Sequence, residues 1–165
     1  QLSSGSNMVA FGETGLDKAC EIPLQVQLDV FELHLEKAVE HNKSIIIHCV
    51  KAWDEIIEIS SRFPAIKILH GYNGSDELTG RLLKQGFYFS VGSAILNPRS
   101  KIRHSIATIP ATLLFCETDT SQVSVKSIYA GVSEALKMEE EALKSILFHN
   151  FQQLIKVQDS YPGSL

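Results

Sequence analysis

The sequence is poor in cysteine and proline, with three and five among 165 residues. Cys20, Cys49 and Cys116 form no Cys-x-x-Cys pair, and an odd number excludes a fully paired disulfide framework. Reduced thiols suit a cytoplasmic protein, which is the expected location. No apolar run approaches the roughly 20 residues of a membrane helix, so no membrane partner is expected. There is no excess of basic charge: the net charge is −4, which excludes coating nucleic acid by charge alone. It does not exclude a nuclease, because bound divalent cations bring positive charge to the point of contact. Low-complexity linkers and repeats beyond a strand–helix rhythm are also missing, so residues 1–165 are expected to form a single domain. A hydrophobic content of 44% is enough for its core.

Five short segments carry the apolar runs of buried parallel strands: Met8–Gly12, Ser44–His48, Ile66–His70, Phe87–Val91 and Thr112–Cys116. Helical patterns fill the gaps. Leu24, Leu28, Phe31, Leu35 and Ala38 are spaced 4-3-4-3, with Pro23 near the start and Asn42 at the end. Trp53, Ile56, Ile57 and Phe63 predict a second helix stopped by Pro64, and Leu78, Leu82 and Leu83 a third stopped by Gly86. A short helix is predicted from about Arg99 to Ala107, then a pair over Val125–Leu136 and Glu139–Ile155. The end, from about residue 156 and including Tyr161-Pro-Gly-Ser, reads as a frayed tail. Alternating strands and helices make this an α/β chain with a parallel sheet.

The chemistry lies at the ends of the strands. Gly12-Glu13-Thr-Gly15-Leu-Asp17 closes the first, His48 ends the second, His70-Gly71 the third, and Glu117-Thr-Asp119 comes directly after the fifth. In a closed barrel such ends meet on one face. Two imidazoles with several carboxylates there suit Zn²⁺, Mn²⁺ or a similar divalent ion. Each residue also has a structural reading. A histidine at a strand end serves as a hydrogen-bonded rim residue, and Asp17 and Asp119 suit helix N-caps. His34 and His41, on or just past the long helix, read as surface or helix-terminal groups, and His149 as structural. His104, beside Arg99, Lys101 and Arg103, reads as part of a solvated helix face. Cys49 and Cys116 suit small buried apolar positions.

Taken in order, these residues resemble a known family. Gly12-Glu13-Thr14-Gly15-Leu16-Asp17 with Gln27 and Phe31 is similar to the GE-x-GLD…Q…F signature of the TatD-type deoxyribonucleases. Ile45-Ile-Ile-His48, His70-Gly-Tyr-Asn-Gly74-Ser75, Gly86–Gly92, Ile109-Pro110…Glu117-Thr118-Asp119 and Asn150 resemble its later elements, from about residue 8 to 155. The resemblance implies a TIM-like (β/α) barrel with two divalent ions (Zn, Mn or Mg) at its C-terminal face. It also implies that Glu13 approaches both ions, His48 and His70 hold one, and Asp119 holds the other and helps to orient water. Glu13 and Asp119 would then be the catalytic pair, with Glu117 and Asp17 in support.

The departures from the family pattern carry expectations too. The family opens with a strand bearing His-x-His, and this sequence contains none. The barrel is therefore expected to lack its first three strands here and to leave the strand Met8–Gly12 with an open edge. Where the family has an Arg two residues after His48, this chain has Val50 and then Lys51, and Thr120-Ser-Gln replaces the proline after the ETD motif. The expected activity is metal-dependent hydrolysis of phosphodiester bonds, with DNA the expected substrate and Lys51, Arg99 and Lys101 as phosphate contacts. Amide or ester hydrolysis on the same centre is an alternative, because one barrel supports many chemistries. A non-catalytic relative that binds metal or a partner is another.

Overall fold

Local chemistry sets the element boundaries. Pro23, with its fixed φ and no N–H, precedes α1 (Leu24–Glu40). Asn42 ends that helix with φ 47°, and the next N–H, of Lys43, turns back to the Ala38 carbonyl at 2.8 Å. The computed structural model describes residues 8–159. Within them β1 (Ala10–Asp17), α1, β2 (Ser44–Val50), α2 (Trp53–Ser60) and β3 (Lys67–Leu69) succeed one another. Next come α3 (Asp76–Lys84), β4 (Tyr88–Val91), α4 (Lys101–Ser105), β5 (Leu114–Cys116), α5 (Val125–Leu136) and α6 (Glu140–Asp159). β1 pairs parallel with β2, and β4 pairs parallel with β5.

The chain forms two compact units, one ending at Ile68 and regaining the chain at Ile155, the other spanning Leu69–Leu154. In the first, α1 lays Phe31, Leu35 and Ala38 on the sheet, where they are buried with Phe11, Leu16, Ile45 and Ile47. Lys67 is buried as well, and its ammonium donates to the carbonyls of Ser60 (3.1 Å) and Phe63 (3.3 Å). It thereby ties the end of α2 and the turn after it to β3, the Ser60 carbonyl also accepting from Phe63 N–H at 3.2 Å. Burial holds the Lys67 ammonium below the usual lysine range.

In the second unit, Tyr72, Leu82, Phe87, Phe89, Ile128 and Leu143 are among the core residues. The Ser75 hydroxyl caps α3 by accepting from Leu78 N–H, and Gly86 ends the turn beyond it with φ 73°. Asn150 ties α6 to the start of β5: its buried amide donates to the carbonyls of Ala111 (2.8 Å) and Leu114 (2.9 Å).

The five expected strands and the helices between them are present, with shifted ends. The largest shift is in β1, expected over Met8–Gly12. The strand runs instead through the whole Gly-Glu-Thr-Gly-Leu-Asp motif to Asp17. The cause is the glycine pair: Gly12 and Gly15 take φ 133° and 149°, and the register with β2 slips between Phe11 and Thr14. A strand absorbs such residues as a bulge and need not turn. The helix expected over Arg99–Ala107 is a five-residue α4 succeeded by a 3-10 turn, Ile106–Thr108. The last helix reaches Asp159 and not Ile155. The Tyr161-Pro-Gly-Ser segment lies outside the described residues.

Candidate metal centre

The bulge in β1 lifts Glu13 out of the regular pleat, and its side chain is exposed. Two residues on, Gly15 stands opposite His48 of β2. A Cβ at Gly15 would overlap the His48 carbonyl oxygen, so only glycine lets the strands meet there. The consequence is a histidine flanked by two carboxylates. Glu13 Oε1 is 3.4 Å from His48 Nδ1, and Asp17 Oδ2 is 3.7 Å from His48 Nε2.

Side chains from α1 hold this segment from behind. The Gln27 carboxamide pairs with the Asp17 backbone much as a neighbouring strand would: its oxygen accepts from Asp17 N–H at 2.6 Å, and its NH₂ donates to the Asp17 carbonyl at 3.0 Å. The same NH₂ reaches the Ile22 carbonyl at 2.7 Å. His34 was expected to be a surface group; it is half-buried, with Nδ1 at 2.8 Å from Thr14 Oγ1, one residue from Glu13. Neither contact is visible in residue spacing, although Gln27 and Thr14 both stand in the motif that carried the family resemblance.

In the second unit, Glu117 comes directly after β5. Its Oε1 lies 3.0 Å from His70 Nδ1 and accepts from Gly71 N–H at 2.8 Å. His70 itself stands immediately beyond β3, the strand in which the chain passes from one unit to the other. Glu13 and His48 of the first unit and His70 of the second each offer one metal-ligand atom. Zinc takes imidazole nitrogens and carboxylate oxygens as ligands. A carboxylate with two imidazoles is a suitable donor set for such an ion.

Glu13, His48 and His70 are three of the four residues expected to hold metal. The fourth, Asp119, is exposed, in a turn after β5, with left-handed backbone at φ 43°. The N-cap readings of the two aspartates do not hold. Pro23 occupies the N-cap of α1, and Ser124, accepting from Ser127 N–H, occupies that of α5. Asp17 ends β1, where its Oδ1 accepts from Ala19 N–H at 2.7 Å. Lys51, Arg99 and Lys101 are exposed, and Lys51 has φ 55° just past β2. Arg103, in contrast, is used structurally, donating to the Gly131 carbonyl and to Glu134. Cys49 and Cys116 are partly buried thiols whose pKa burial pushes up to about 12. Among the described residues no helix is long and apolar enough to cross a membrane.

Comparison with known proteins bears on the family. The family model described as TatD related DNase matches residues 1–156. The chain is 31% identical over 159 residues to the human 3'-5' RNA nuclease TATDN2, covering 92% of this chain and 20% of that protein. It is 28% identical to YabD of Bacillus subtilis, described as an uncharacterized metal-dependent hydrolase, covering 95% of this chain and 69% of that one. The crystal structure of YjjV, a TatD homologue from Escherichia coli, superposes with a TM-score of 0.82 at 26% identity. That match covers 90% of this chain and 64% of the other. The chain thus spans about a fifth of the human relative and about two thirds of the bacterial ones. It belongs to the TatD-related DNase family.

Proposed function

We propose that this chain carries the catalytic face of a metal-dependent phosphodiesterase of the deoxyribonuclease type, acting in the cytoplasm. The observation that carries the reading is a carboxylate beside each strand-end histidine, Glu13 at 3.4 Å from His48 and Glu117 at 3.0 Å from His70. Glu13, His48 and His70 would hold one divalent ion (Zn, Mn or Mg), and Asp119 with Glu13 a second. Such ions supply an activated water near neutral pH and neutralise the charge that builds on the phosphoryl oxygens. Glu13 and Asp119 are the carboxylates that would take the proton from, and orient, the attacking water. Asp17, held by Gln27, keeps His48 between two carboxylates. Lys51, Arg99 and Lys101 would contact phosphates, and replacing Lys51 should lower the salt dependence of binding by about one unit of slope. The names of relatives point to nucleic acid of both kinds, DNase for the family and RNA nuclease for the human protein. DNA is the substrate we favour, since the family model takes in nearly the whole chain.

The test is a cleavage assay on single- and double-stranded DNA and on RNA with Mg²⁺, Mn²⁺ and Zn²⁺, beside a panel of esters and amides. Cleavage of DNA that a chelator stops, and that His70→Ala largely loses with the fold intact, is the expected result. Hydrolysis of an ester or amide with no nucleic acid cleaved would replace the reading with the alternative chemistry. Metal binding without turnover of any substrate would indicate a non-catalytic relative.

A further inference from the structure

We infer that Glu117 decides which nitrogen of His70 is offered to an ion: it takes the proton on Nδ1 and leaves Nε2 as the ligand atom. A single carboxylate oxygen, Oε1, lies 3.0 Å from Nδ1 and 2.8 Å from Gly71 N. A carboxylate oxygen only accepts, so the ring nitrogen facing it carries the hydrogen. In a neutral imidazole the other nitrogen then holds the lone pair.

The carboxylate is itself fixed. Its backbone N–H donates to the Val91 carbonyl at 3.1 Å, which continues the β4–β5 pairing one residue past β5. Gly71, with φ 56°, turns its N–H onto the same oxygen. The nearest atoms to a Cβ at Gly92 would be Glu117 Cγ and Oε1, both at 3.8 Å, so β4 runs close beside the carboxylate. The two side chains are only 14% and 20% exposed, which shields the bond from competing water. Glu117 is a positioning residue: it acts on an ion through His70. The ligand assignment rests on the metal reading proposed above, whereas the proton position does not.

The experiment uses the whole chain with labelled imidazole nitrogens, freed of metal by chelator, at a pH where histidine is neutral. Nitrogen NMR should place the His70 proton on Nδ1. Glu117→Gln, whose amide oxygen accepts the same two bonds, should keep that tautomer, while Glu117→Ala should release it. In parallel, Co²⁺ affinity should fall about 10–100-fold in Glu117→Ala and by less in Glu117→Gln. A wild-type proton on Nε2, or an unchanged tautomer in Glu117→Ala, would overturn the inference. Should the wild-type chain bind no Co²⁺, the metal reading falls, and the proton position in that same metal-free protein still decides this one.

Discussion

Replacing Gly15 by Ala should damage the protein out of proportion to one added methyl group. The new Cβ would overlap the His48 carbonyl oxygen and sit 2.9 Å from that carbonyl carbon and 3.0 Å from the His48 nitrogen. These are backbone atoms, so no rotamer change relieves the clash, and β1 must move away from β2. The residue also has φ 149°, which alanine avoids. Backbone strain of about 1–3 kcal/mol and overpacking of about 1–3 kcal/mol together give roughly 2–6 kcal/mol. At a urea m-value of about 2 kcal/mol/M that is a midpoint lower by about 1–3 M. Gly80 is the control. It lies inside α3 with nothing within 4 Å of a built Cβ, so Gly80→Ala should stabilise by about 0.5–1 kcal/mol. Urea unfolding monitored by circular dichroism measures both. A Gly15→Ala midpoint equal to wild type would refute the argument that glycine is needed for this approach of the strands.

Buried groups give two further expected outcomes. Asn150→Ala leaves the carbonyls of Ala111 and Leu114 without their side-chain donor, which should cost about 1–3 kcal/mol; calorimetry should show Tm lower by about 2–12 °C, and an unchanged Tm would show that α6 is held otherwise. With their pKa pushed up to about 12, the thiols of Cys49 and Cys116 are ionised only on the order of one part in ten thousand at about pH 8. Iodoacetamide should therefore label the exposed Cys20 first and the other two only after unfolding, and equal rates for all three would contradict the burial.

How much of this was legible in the sequence differs from residue to residue. Apolar runs that stop at a polar residue pointed to His48, His70 and Glu117, which stand within β2 near its end, just past β3 and just past β5. The extent of β1 was not legible. Gly12 and Gly15 look like turn residues, and only pairing with β2 shows that their positive φ angles are taken up as a bulge. The 4-3-4-3 pattern of α1 was legible: Phe31, Leu35 and Ala38 are buried, and Val26, Val30 and Leu33, which lie off that pattern, are exposed. Asp17 and Asp119 suit helix N-caps by residue type, yet Pro23 and Ser124 stand at those positions. Gln27 and His34 act through side-chain bonds to residues 10 and 20 positions away, a distance at which local spacing carries no signal.

If Glu13, His48 and His70 together hold a divalent ion, calorimetric titration of the metal-free chain with Zn²⁺ should find a saturable site. That site should be weakened by Glu13→Ala, His48→Ala and His70→Ala, each with its fold intact by circular dichroism. No comparable loss is expected in Lys144→Ala, whose side chain pairs with Glu140 and Glu141 on α6. A chain carrying all three alanines that still bound Zn²⁺ as tightly as the wild type would contradict the assignment.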